Sequence, residues 1–290
     1  MTLPQFLVIG AMKAGSTTLY EDLRSHPSIY LPEKELDSLG AEEVVTPRGR
    51  ARYARLFAST GSGQVPGQVS TPYAKLPDSA RTVEHAAQVV GGDFKVIYLV
   101  RDPVDRVVSQ HRHEWSRGRL RDPLDLAVHS TPRLLNYTRY TMQITPWVDL
   151  VGSDRVRVVP FERYVADRAT VLDTIFSFIG VDGLSATLTG LDRAHNRTGH
   201  VPVASGRVGR LVRSRRYRSL VRPLVPERVR RLGARSLLST DRPRAADPSP
   251  ATVDLIIQET APELPPLQDL CGDVQPLWDL TATRRRYLGD

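Results

Sequence analysis

FLVIGAMKAGSTTL, residues Phe6 to Leu19, is an apolar run that turns through two glycines into a helix. The four residues Phe6 to Ile9 suit a short buried strand, and the segment beyond Gly15 takes up helical spacing with Leu19 and Leu23. A strand, a glycine-bearing loop and a helix N-terminus make an anion site, because unpaired backbone amides converge there and the helix dipole adds positive potential. A loop that binds ATP or GTP is spelled G-x-x-x-x-G-K-[ST]. Gly10, Gly15 and Thr17 keep that spacing, but Ser16 stands in the lysine slot and the lysine sits inside the loop at Lys13. A nucleoside triphosphate loses its usual outer-phosphate contact here, whereas Lys13 can reach a group attached directly to a 5′-phosphate.

Outward from this stretch, strand and helix signals alternate. KVIYLV, Lys95 to Val100, is a β-branched run of the kind buried in a parallel sheet, and Val156 to Phe161 reads as another. Ile29 to Pro32 and Gly67 to Tyr73 read as shorter extended pieces. Helices are expected over Tyr53–Phe57, Asp78–Val90, Val104–Trp115, Leu124–Val128, Arg139–Leu150 and Ala166–Ile179. The alternation predicts an α/β, P-loop-like three-layer fold with a central, mostly parallel sheet flanked by helices. Ligands in such folds bind beyond the carboxyl ends of the strands, and both Lys13 and Arg101 lie just past such ends.

Composition narrows the partners. The chain is expected to form a single domain over 1–290, with 205–250 a basic helical and linker segment within it. Arg207 to Arg235 carries eleven arginines interleaved with aliphatic residues, which reads as a solvated helix docked by its aliphatic stripe, with a clasp for an acidic ligand or a membrane surface as the alternative. The net charge of +8 favours an anionic partner. Nothing resembles a base-reading motif, so nucleic acid is not expected. Cys271 is the single cysteine, which excludes an intrachain disulfide and a cysteine zinc cluster. No apolar run approaches the roughly 20 residues of a membrane span. With no signal-peptide pattern after Met1, a cytoplasmic location is expected.

Three segments together resemble the sulfotransferases that use 3′-phosphoadenosine-5′-phosphosulfate (PAPS), in particular bacterial relatives of the heparan-sulfate sulfotransferase group. Phe6 to Leu19 is similar to that family's 5′-phosphosulfate loop. Ile97-Tyr-Leu-Val-Arg101-Asp-Pro-Val-Asp-Arg106-Val-Val-Ser109 is similar to its 3′-phosphate motif, and Leu31-Pro-Glu-Lys34-Glu35-Leu36 to the segment carrying a catalytic glutamate. Weaker echoes occur at Gly67 to Pro77, Arg139 to Gln143 and Val274 to Trp278.

The resemblance implies a PAPS-dependent sulfotransferase without a metal, acting on a hydroxyl of a sugar or small natural product. It places the 5′-phosphate on the amides and hydroxyls of Ala14, Gly15, Ser16, Thr17 and Thr18, with Lys13 by the bridging oxygen. Arg101 and Ser109 take the 3′-phosphate, Arg197 and Gly199 form a late loop over the nucleotide, and Glu35 is the base. Asp37, Ser38 and Leu39 replace the family's usual histidine and two aromatics, and Gln68 stands where a glutamate is common. His111 and His113 are alternative bases. A P-loop kinase or nucleotidase is disfavoured by Ser16 and by Arg101 preceding Asp102, and a basic nucleic-acid binder has charge alone in its favour.

Overall fold

The N-terminal apolar run forms β1 (Phe6–Gly10), and every residue of it is buried. The computed structural model describes residues 2–183, 245–272 and 276–288. Four further strands follow: β2 (Ile29–Tyr30), β3 (Val65–Val69), β4 (Lys95–Val100) and β5 (Val156–Pro160). They pair in the order β2-β3-β1-β4-β5, and every pairing is parallel. All the strands therefore deliver their following loops to one rim. From β3 the chain crosses β1 to place β4 on its other side, and that reversal of direction leaves a crevice at the carboxyl ends of β1 and β4.

The connecting helices are α1 (Ser16–Ser25), α2 (Pro47–Arg55), α3 (Thr82–Val89) and α4 (Pro103–Ser116). Next come α5 (Leu124–Ser130), α6 (Arg133–Asn136), α7 (Tyr140–Val151), α8 (Phe161–Ala166) and α9 (Arg168–Ile179). The C-terminal part adds α10 (Pro250–Thr260), α11 (Leu264–Cys271) and α12 (Leu280–Leu288). The result is the expected α/β layered fold, with helices flanking a parallel sheet.

Local capping explains where the element bounds differ from those expected. The helix read over Tyr53–Phe57 begins earlier, because Thr46 accepts the Gly49 amide at 3.0 Å and Pro47 fills the first turn. The helix read over Ala166–Ile179 is broken at Asp167, whose carboxylate accepts the Thr170 amide at 3.1 Å and starts α9. Phe161, expected to end a strand, instead opens α8 after Pro160. The helix read over Asp78–Val90 shortens to α3.

The main core joins the sheet to Leu19, Leu23, Trp147 and Phe176. A second cluster joins Val104, Val107 and Val108 of α4 to Leu124, Leu134, Val253 and Ile256, so α10 returns from the far end of the sequence to cover α4. The stretch before α10 has no regular structure, and Ser249 pins it by donating from its amide and hydroxyl to Asp125 at 2.9 and 3.0 Å. Arg197, Gly199, the arginine-rich 207–235 and Val274 lie outside the described residues. Among the described residues no helix is long and apolar enough to cross a membrane.

Candidate active site

Each strand contributes something to the rim. After β1, the loop holds Lys13 at φ 73° and Gly15 at φ 90°, and Gly15 caps α1 with no side chain of its own. The first turn of α1 also carries no acidic residue, so its amides face the crevice without an internal anion. A Cβ at Gly15 would come within 2.6 Å of the Phe161 ring, so only glycine lets the loop close on the residue after β5. One expected amide is otherwise engaged: Ala14 donates to the Ala11 carbonyl at 3.2 Å, because the turn closes on itself. Ser16 is buried at the helix start, and Thr17 and Thr18 are half-buried behind it.

Arg101, the residue after β4, reaches across to the same loop. Its Nη1 donates to the Lys13 carbonyl at 3.3 Å, and its guanidinium carbon lies 5.1 Å from the Phe161 ring centroid. The Tyr140 hydroxyl clamps its backbone, donating to the Arg101 carbonyl at 2.6 Å and accepting the Arg101 amide at 3.2 Å. The Arg101 Nε is buried and has no hydrogen-bond partner among the described residues. A buried, unpaired guanidinium nitrogen beside an uncapped helix start suits an anionic ligand. Asp102, which a magnesium-dependent phosphotransferase would need as a ligand, is instead spent on structure. Its Oδ1 accepts the Val104 and Asp105 amides at 3.0 and 3.1 Å, and its Oδ2 accepts the Thr283 hydroxyl at 2.5 Å.

Glu35 enters from the loop after β2. Its φ is 64°, its amide donates to the Val69 carbonyl at 3.0 Å, and its Oε2 accepts the Thr71 hydroxyl at 2.7 Å while Lys34 pairs closely with Oε1. Among the described residues, Lys13 and Glu35 are the two non-glycine residues with positive φ. Such conformations are uncommon outside glycine and concentrate where function over-determines the backbone. Lys75 belongs to the same group, since burial lowers its ammonium pKa while Glu35 and Asp37 act against that.

Electrostatics ties Lys13 to these neighbours. Burial first, then the Arg101, Arg117 and Lys34 cations, bring its ammonium down to about 8. His113 faces the same charges: burial, with Lys13, Arg117 and Arg119 adding to it, brings the imidazole down to about 4. His111 is different, being buried with its Nε2 2.9 Å from the Asp122 carbonyl and its ring 5.8 Å from Trp115, which is a packing role. Along α4, Asp105, Ser109 and His113 recur every four residues and share a face. Ser109 is thus set between the Arg101 end of the crevice and the Lys13 end, and it is largely buried.

The sequence reading missed Phe161, Thr71, Lys75 and Asp105. A usable signal existed for the first two: each follows the end of a strand, as Lys13 and Arg101 do. Gln68 turns out to be a core residue, with its Oε1 accepting the Tyr53 and Tyr73 hydroxyls at 2.8 and 3.1 Å.

A family model described as "Sulfotransferase domain" matches residues 3–191. Heparan sulfate glucosamine 3-O-sulfotransferase 3B1 of Mus musculus is 27% identical over 194 residues, covering 62% of this chain and 46% of that protein. Bifunctional heparan sulfate N-deacetylase/N-sulfotransferase 4 of Mus musculus is 27% identical over 203 residues, 62% of this chain and 22% of that protein. The match therefore spans less than half of either relative. Among solved structures, a sulfotransferase from Alicyclobacillus acidocaldarius superimposes with a TM-score of 0.64 at 19% identity, covering 98% of this chain and all of that one, which establishes the likeness of fold.

Proposed function

The chain belongs to the sulfotransferase domain family, and from that premise we propose that it moves a sulfuryl group from PAPS to a hydroxyl of a sugar or small natural product. The observation that carries the nucleotide assignment is the Arg101 side chain. It reaches the Lys13 carbonyl at 3.3 Å yet keeps a buried Nε unpaired among the described residues. Two cations from separate strand ends thereby share one crevice, as a nucleotide phosphorylated at both 3′ and 5′ positions requires. The sugar preference is supported by relatives whose names specify glucosamine acceptors.

In this assignment the amides at the start of α1, with the Ser16, Thr17 and Thr18 hydroxyls, hold the 5′-phosphate. Arg101 forks onto the 3′-phosphate with Ser109 beside it. Glu35 takes the proton of the acceptor hydroxyl as the acceptor oxygen bonds to sulfur and the bond from sulfur to the bridging phosphate oxygen breaks. Lys13 stabilises the negative charge that accumulates on that bridging oxygen. Lys13 and Arg101 supply the positive charge that magnesium provides in phosphotransferases. Arg197 and Gly199 complete the nucleotide site from outside the described residues. The whole of 1–290 acts as one domain, with 205–250 inside it, in the cytoplasm.

Calorimetric titration with adenosine 3′,5′-bisphosphate tests the assignment. Micromolar binding is expected, together with its loss in Arg101→Ala by about 2 kcal/mol or more. A wild-type chain with no affinity for that nucleotide would remove the assignment. Incubation with PAPS and a panel of sugars, read as a mass gain of one sulfuryl group, then identifies the acceptor.

A further inference from the structure

Among the described residues, the carboxylate within ion-pair distance of Arg101 is Asp105, with its Oδ2 3.8 Å from Nη2. An anion there works against phosphate binding in two ways: it competes for the guanidinium, and it repels the ligand. Helix α12 counters both. Arg286 Nη2 lies 3.2 Å from the same Oδ2, and the Tyr287 hydroxyl donates to Oδ1 at 2.7 Å. Both carboxylate oxygens are thus engaged by α12 at shorter range than by Arg101, whose own contact is too long for a hydrogen bond. Thr283, one turn earlier on α12, anchors the helix by donating to Asp102 at 2.5 Å. Arg286 also donates to the Thr283 hydroxyl at 3.4 Å, which sets its side chain along that face. Residues 283, 286 and 287 share one side of the helix by their spacing, and that side meets the first turn of α4.

We propose that Arg286, assisted by Tyr287, is a positioning residue for the nucleotide: it holds Asp105 neutralised and off Arg101, so that the guanidinium is available to a phosphate. This rests on the assignment of Arg101 to the 3′-phosphate. Arg286 lies well beyond residue 191, where the family match ends, so the C-terminal helix completes a site that the matched region leaves electrostatically unbalanced.

The test is a double-mutant cycle on the full chain, titrated with adenosine 3′,5′-bisphosphate. Arg286 is 56% exposed, so solvent screening limits the effect of Arg286→Gln to a weakening of about fivefold. That weakening should shrink in high salt. Arg286→Lys should keep most of the affinity, and Asp105→Asn combined with Arg286→Gln should return it to within about twofold of wild type. Unchanged affinity in Arg286→Gln would overturn the proposal, as would a double variant no better than the single, which would mean that α12 acts only by packing. A wild-type chain that does not bind the nucleotide would instead overturn the assignment of Arg101, and this proposal with it.

Discussion

Lys13 and Glu35 hold left-handed backbone conformations that their side chains do not favour, and the proposed transfer moves charge at both. The Lys13 ammonium, brought down to about 8 by burial and neighbouring cations, makes nucleotide binding pH-linked. An anion bound beside it raises that pKa, so the complex holds more protons than the free protein above pH 8. At pH 8.5 a fraction of a proton should be taken up on binding adenosine 3′,5′-bisphosphate, with affinity falling as pH rises further. Calorimetry in buffers of different ionisation enthalpy reads that number directly. The uptake should vanish in Lys13→Ala, and a wild-type value near zero would show that Lys13 does not meet the ligand. Lys13 itself was legible in the sequence, because a lysine displaced into a glycine loop stands out among so many arginines. Its lowered pKa was not, since that needs the burial and the cations at 34, 101 and 117.

The loop bearing Glu35 is held from behind as a unit. The Leu36 carbonyl accepts from the Ser70 hydroxyl at 3.0 Å and from Gln68 Nε2 at 3.3 Å, and the Leu39 amide donates to the Tyr73 hydroxyl at 3.2 Å. Gln68 is completely buried, and an amide there can donate to Leu36 while accepting from two tyrosines. A glutamate could do both only as the neutral acid, because its carboxylate has no proton to give Leu36 and would bury a charge. Gln68→Leu should therefore cost about 1–3 kcal/mol of stability through unpaired buried hydroxyls. It should also lower kcat while leaving nucleotide affinity unchanged. Glu35→Gln should lower kcat by about 10²–10⁴ with little change in stability. Urea denaturation and steady-state kinetics on both variants separate the cases, and a fall in nucleotide affinity in Gln68→Leu would break the link to the Glu35 loop. Sequence alone marked Gln68 only as a departure from a pattern. Its reason appears when β3 and the preceding loop are packed together.

For the whole molecule, α1 must stay fixed if its N-terminus is to hold an anion. Asp22 of α1 accepts from Arg168 of α9 at 2.8 and 2.5 Å and pairs closely with the Tyr164 hydroxyl of α8, all largely buried. Removing the acid takes the ion pair from Arg168 and a hydrogen bond from Tyr164 in a largely buried setting, so Asp22→Ala should destabilise by about 3 kcal/mol. A chemical denaturation midpoint measures this, and a change within about 0.5 kcal/mol would place the pair with ordinary surface contacts. The sheet could be read in advance because apolar runs and the glycine loop act over a few residues, and parallel strands send their ends to one rim whatever the detail. That local grammar determined the α/β layering, the glycine loop at a helix start and the two cations at 13 and 101. Only tertiary structure decided what surrounds them. Phe161 wedges against Gly15, Tyr140 clamps the Arg101 backbone, and Tyr287 reaches Asp105 across 182 residues. Such contacts join elements far apart in the chain, where no spacing rule operates, and they form because buried polar groups must find partners once the layers close.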